Sequence, residues 1–175
     1  VSIPLLGKKL EGIMFDETYY AKDAWGILQS GFERQWVDGA NDMILRGDLS
    51  GMKEEAAYIV HPPVGKLLIG VGEAMFGMNP FGWRFMALVF GTLLVFFTIR
   101  MARRLSRSTL IGGVAGLLLT FDGLAFIMSR IALLDIFQAT FAVAGVAALV
   151  ADRDWFRHKL ADHLRAKGLP DLDGS

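Results

Sequence analysis

Asp16 and Glu17 stand side by side in the run Phe15-Asp16-Glu17-Thr18-Tyr19-Tyr20, two carboxylates followed by aromatic side chains. A water-facing carboxylate can take the proton of a hydroxyl as that hydroxyl attacks, which is general-base chemistry. Further along, ionisable residues fall beside or within apolar runs. His61 and Lys66 flank Pro62-Pro63, Arg84 opens one long apolar run, Asp122 interrupts a second, and Arg130 and Asp135 lie at the head of a third. An ionisable group inside a membrane span costs on the order of 2.5 kcal/mol or more, so it marks a functional candidate with a partner. Arginine suits phosphate through its planar fork, and lysine does so as a point charge. Each residue also has a plain structural reading. Asp16 can be a helix N-cap and His61 a turn residue, and the charges in the apolar runs can be ion pairs or snorkelling ends.

The elements that must position these groups follow from periodicity. Tyr20, Ala24, Ile27 and Leu28 recur at helical spacing, so a short amphipathic helix is expected over 17–29, with Asp16 near its N-cap. Glycines 31, 39, 47 and 51 among polar residues give 30–58 the character of an aqueous loop. Pro62 and Pro63 set the entry angle of an apolar helix over 64–76 that carries Lys66 and Glu73. It is too short to span a bilayer and is expected at the membrane interface or as a re-entrant segment. Spans are expected over 81–101, 108–129 and 131–150, the last two interrupted by Asp122 and Asp135. The link after the first span holds Arg100, Arg103, Arg104 and Arg107, which places it in the cytoplasm by the positive-inside rule. The loop carrying Asp16, Glu17 and His61 then lies outside, at the level of Arg84, Asp122, Arg130 and Asp135. An anion-binding cluster with a carboxylate above it suits group transfer from a lipid phosphate to an extracytoplasmic acceptor.

Composition agrees with a membrane protein. The 175 residues are 53% hydrophobic, with a mean hydropathy of +0.41, too apolar for an ordinary soluble domain. Basic and acidic residues balance at 18 each, so no global field argues for nucleic acid. There is no cysteine, which excludes disulfides, thiol catalysis and Cys-ligated metals and leaves the compartment open. The adjacent Asp16 and Glu17 point in different directions and do not call for a metal; no cofactor is expected. The start at Val1 and the missing signal-like segment suggest a fragment cut at both ends. Three regions are expected: an extracytoplasmic loop at 1–81, three transmembrane helices at 82–151, and a cytoplasmic tail or loop at 152–175.

Four segments in order, Phe15-Asp16-Glu17-Thr18-Tyr19-Tyr20-Ala21-Lys22-Asp23-Ala24-Trp25, His61-Pro62-Pro63-Val64-Gly65-Lys66, Gly82-Trp83-Arg84 and Ser129-Arg130-Ile131-Ala132-Leu133-Leu134-Asp135, resemble the protein O-mannosyltransferase family, in wording closest to its actinobacterial branch. The resemblance covers about 15–154. It implies an all-α, polytopic membrane enzyme of the GT-C glycosyltransferase class, in the cell membrane with its active site on the extracytoplasmic side. Such an enzyme moves mannose from a polyprenyl-phosphate carrier to Ser or Thr hydroxyls of exported polypeptides, with inversion. It also implies membrane lipid and the export machinery as partners, and no nucleic acid. By the same resemblance Asp16 is the catalytic base with Glu17 supporting or sharing that role. Arg84, Arg130, His61 and Lys66 are donor- or phosphate-binding, and Asp135 and Asp122 are supporting. A preceding span and several later ones are expected beyond this chain, so the chain by itself is expected to be inactive. Two other classes fit the same charges: a GT-C enzyme moving another sugar to lipid or glycan, and a transporter or scaffold relying on Asp122 and Asp135.

Overall fold

The structure is a computed structural model that describes residues 16–168. Phe15, the expected connector over 1–14 and the end of the expected tail over 169–175 lie outside the described residues. The chain is mostly helical, with the elements α1 (Glu17–Ser30), β1 (Arg34–Trp36), α2 (Ala40–Leu45), β2 (Met52–Ala56), α3 (Pro63–Phe76), α4 (Pro80–Ser106), α5 (Thr109–Phe121), α6 (Gly123–Met128) and α7 (Asp135–Ala166). They form two compact units. One runs to Thr92 and takes in Gly123–Gln138; the other comprises Leu93–Asp122 and the chain from Ala139 onward. The helix α7 passes position 152 unbroken.

In the first unit, Glu17 lies in the first turn of α1, where a carboxylate suits the positive end of the helix dipole. The helix stops at Gly31, whose φ of 81° is open to glycine and whose N–H donates to the Ile27 carbonyl. Tyr20, Ala21 and Ala24 form the buried face of α1. That face meets α3, where Gly70 leaves room for Leu28 and the Ala24 carbonyl. The segment read as loop over 30–58 is instead a β1–α2–β2 insertion. Its strands pair antiparallel with Arg34 opposite Ala56 and Trp36 opposite Met52. Glycine marks the N-cap of α2 at Gly39 and the turn at Gly47, both at positive φ, so the glycines that signalled loop mark the ends of short elements.

Pro62 is extended and Pro63 occupies the first turn of α3, where no backbone donor is needed. The burial of α3 inverts the usual pattern: Lys66 and Glu73 lie inside, and Val64, Leu67, Val71 and Met75 lie exposed. Asn79 links α3 to α4, its side-chain oxygen accepting the N–H groups of Phe81 and Gly82 at 3.0 Å each. Where the helices meet, a methyl group on Gly72 would overlap the Gly82 carbonyl oxygen.

Two helices, α4 and α7, are long and apolar enough to cross a membrane. The span expected over 108–129 is realised as two shorter helices. Ser108 caps α5 by accepting the Ile111 N–H, and α5 ends after 13 residues because Asp122 turns extended at ψ 122°. Thirteen residues rise about 20 Å at 1.5 Å each, short of the roughly 30 Å hydrocarbon core. In the second unit α5 closes on α4 through Gly112 and Gly116, where side chains would collide with Arg103 and Ile99.

Candidate functional site

The site is assembled in the first unit from the start of α1, the 57–62 segment, the first turns of α3 and α4, and the 129–135 segment before α7. Glu17 is the hinge of that assembly. Its carboxylate is 0% exposed and receives Arg84 through two hydrogen bonds, Nε to Oε1 at 2.7 Å and Nη2 to Oε2 at 2.6 Å. The same Oε1 accepts the Ala132 backbone N–H at 2.7 Å. One carboxylate thus ties α1 to α4 and to the segment ahead of α7. Two parallel N–H···O bonds also fix the orientation of a guanidinium as well as its place. Glu17, expected to support or share the role of Asp16, is a buried strut with its oxygens turned away from solvent.

Asp16 differs from its neighbour. It is partly exposed, and although it occupies the N-cap position its side chain makes no capping hydrogen bond. Only its backbone carbonyl serves the helix, accepting the Tyr19 and Tyr20 N–H groups. The plain capping role therefore does not account for the Asp16 carboxylate. Beside it lies Tyr20, buried, whose phenol is raised above its ordinary value first by burial and then by the negative charges of Asp16 and Asp135, with Lys66 opposing. His61 meets the Tyr20 ring edge-on at 5.8 Å and holds a left-handed φ of 71°, a conformation that histidine tolerates better than most residues.

Lys66, expected at the donor, is held in a buried cluster of three partners. It is 0% exposed, and its ammonium donates to Glu33 Oε1 at 2.8 Å and to the Val60 carbonyl at 2.7 Å, and pairs with Asp23 Oδ2 at 2.9 Å. An ammonium has three protons, and these three partners use them all. Burial alone would lower the Lys66 value, but Glu33 and Asp23 outweigh it and hold the group charged above its ordinary range. Lys66 therefore clamps α1, the stretch before β1 and the residue before His61, and leaves nothing for a phosphate.

Arg84 and Arg130, the other two residues expected at a phosphate, come together. They line one open hollow of about 360 Å³ with Pro80, Phe81, Phe85, Leu88 and Ser129. Arg130 is exposed, its guanidinium stacked 3.6 Å above the Phe126 ring. Ser129 also packs against Gly91 of α4, where any side chain would overlap it. The hollow joins two guanidiniums to an apolar wall, a combination suited to a phosphate carrying a hydrocarbon tail. Asp135 opens α7 and is exposed. Asp122 belongs to the second unit, as the C-cap of α5. Among the described residues no group of three or more His, Asp or Glu side chains gathers that could hold a metal ion.

Sequence alone did not single out Asp23 and Glu33, the partners of Lys66. One signal was present: Lys66 and Glu73 are seven apart on a helix whose remaining residues are largely apolar, so both ionisable groups share a face.

Residues 71–160 match the family described as dolichyl-phosphate-mannose-protein mannosyltransferase. Curated relatives named polyprenol-phosphate-mannose--protein mannosyltransferase are similar over most of the chain. The protein of Mycolicibacterium smegmatis mc(2)155 is 45% identical over 149 residues, 84% of this chain and 25% of the relative. That of Mycobacterium tuberculosis H37Rv is 43% identical over 149 residues with the same coverage, and that of Corynebacterium glutamicum is 36% identical over 157 residues, 89% of this chain and 28% of the relative. The chain thus spans about a quarter of the length of these relatives. No solved structure matches it. With more than half of its residues inside the family match, the chain belongs to the dolichyl-phosphate-mannose-protein mannosyltransferase family.

Proposed function

We propose that this chain supplies the acceptor-activating and donor-holding part of a membrane glycosyltransferase that moves mannose from polyprenol-phosphate-mannose to Ser or Thr hydroxyls of exported proteins. The observation that carries the reading is the division of labour between adjacent acids. Glu17 fixes Arg84 at the hollow, while the Asp16 carboxylate next to it is left out of the helix cap. The names of the relatives supply the donor and the protein acceptor.

In this reading Asp16 takes the proton of the acceptor hydroxyl. The oxygen attacks the anomeric carbon from the face opposite the phosphate, the bond from that carbon to the phosphate oxygen breaks, and its electron pair leaves on the lipid phosphate. One displacement inverts the anomeric configuration. Arg130, with Arg84 beside it, offsets the charge that accumulates on the leaving phosphate. Tyr20, His61 and Asp135 border the acceptor side. Lys66 acts through Val60, holding the backbone just before His61. The site faces the extracytoplasmic side of the cell membrane, and the export machinery delivers the acceptor.

The test uses membranes carrying the whole glycosyltransferase to which this chain contributes, radiolabelled polyprenol-phosphate-mannose and a Ser/Thr-rich peptide. Label on peptide hydroxyls, with the anomeric configuration opposite to that of the donor, is the expected result. Label passing only to lipid or glycan overturns the protein-acceptor reading, and retained configuration overturns the single displacement.

A further inference from the structure

The second unit holds a groove that the transfer chemistry does not use. It is lined by Phe97, Arg100, Met101 and Arg104 of α4 and by four alanines of α7, at 144, 147, 148 and 151, and encloses about 200 Å³. Its two ends differ in character. The alanine rows and Phe97 make an apolar trough along two membrane-length helices. At the other end Arg100 lies 5.6 Å from the Phe96 ring centre, and Arg104 reaches Asp154 Oδ2 only at 3.4 Å. Asp154 is more tightly engaged by Arg153, whose Nη2 lies 2.8 Å from Oδ1. Two guanidiniums thus share one carboxylate, and with Arg100 also lining the groove its mouth carries excess positive charge. Trp155 and Phe156, both exposed, follow directly on α7, at the level where aromatic side chains sit at a membrane surface.

We propose that this groove binds an anionic glycerophospholipid, its phosphate on Arg100 and Arg104 and an acyl chain along the alanine trough. A free phosphate would leave the trough unfilled. A zwitterionic lipid would leave the excess charge at the mouth uncompensated, whereas basic pockets between membrane helices bind anionic headgroups. The inference is independent of the mannosyl-transfer reading, since it rests on residues that take no part in it.

The protein, purified in mild detergent with equal phosphatidylglycerol and phosphatidylcholine, is examined by native mass spectrometry for lipid that stays bound. Phosphatidylglycerol is expected to be retained in preference. Arg100→Gln and Arg104→Gln should each lower that retention about fivefold, the order expected for one basic residue at an anionic lipid surface. Asp154→Asn should raise it, a change of opposite sign that misfolding would not produce. Equal retention of the two lipids, or retention unmoved by both arginine variants, overturns the proposal. The chain has no cysteine, so Ala148→Cys reports who fills the trough. Cross-linking of that cysteine to another helix of the protein or to a second copy means that a helix occupies it, which also overturns the proposal.

Discussion

At the scale of single residues, two neighbouring carboxylates have opposite fates because successive helical positions point about 100° apart. Glu17 turns inward, is fully buried and meets a guanidinium bidentately. Asp16 stays partly exposed, and its side chain makes no hydrogen bond to the helix end. Removing one partner of a buried pair leaves the other uncompensated, at about 3–5 kcal/mol. Glu17→Gln is therefore expected to lower the thermal midpoint sharply, and so is Arg84→Lys, which cannot reproduce the two-pronged contact; an unchanged midpoint in both would contradict the strut. Lys66→Met should release the Val60 carbonyl and strand Asp23 and Glu33. A fall in stability, with His61 becoming freely mobile in its NMR signal, is the expected result. None of these partnerships was legible from residue types. Lys66 reaches Glu33 across 33 positions and Arg84 reaches Glu17 across 67, and spacing at that range carries no signal without the fold.

At the scale of elements, α3 is the informative case. Its sequence announces an apolar helix with a proline start, and that is what forms. Which side faces inward was not legible, because the two ionisable residues occupy the buried side and valine, leucine and methionine the exposed one. Hydrophobicity predicts the reverse for a helix in water; the inversion fits a helix whose outer face meets lipid. The inward face leaves Glu73 buried, and loss of solvent pushes its carboxyl up to about 9, so it is neutral at pH 7. Because the folded value lies above the ordinary 4.5, the folded state binds the extra proton, and stability falls as pH climbs from about 4.5 to about 9. Glu73→Gln should remove that slope; thermal midpoints of the two proteins that stay parallel from pH 5 to pH 9 would contradict it. Gly72→Ala should destabilise by about 1–3 kcal/mol through overpacking against the Gly82 carbonyl. The break at Asp122 belongs to this scale too. The apolar run over 108–129 reads as one span, but an aspartate next to a glycine ends the helix, and the run becomes α5 and α6.

At the scale of the whole molecule, the membrane character was legible from composition and from the runs that became α4 and α7, and the family from four short motifs, of which those at 82–84 and 129–135 fall inside the family match over residues 71–160. What stayed hidden is how the chain divides, since each long helix contributes to both compact units. By the positive-inside rule the arginine-rich link after α4 is expected in the cytoplasm, and the proposed function expects the 30–58 insertion outside. A single cysteine replacing Ser106 should accordingly be labelled only from the cytoplasmic side of oriented vesicles, and one replacing Asp38 only from outside; the reverse pattern would invert the topology. The central claim is that Asp16 acts chemically while Glu17 acts architecturally. The most direct test measures mannosyl transfer to a Ser/Thr peptide and the thermal midpoint together, in membranes carrying the whole glycosyltransferase to which this chain contributes or its Asp16→Asn variant. The account expects transfer to fall by about 10²–10⁴-fold, the usual contribution of a general base, with the midpoint unmoved. Transfer that survives, or that is lost only in step with the midpoint, would contradict it.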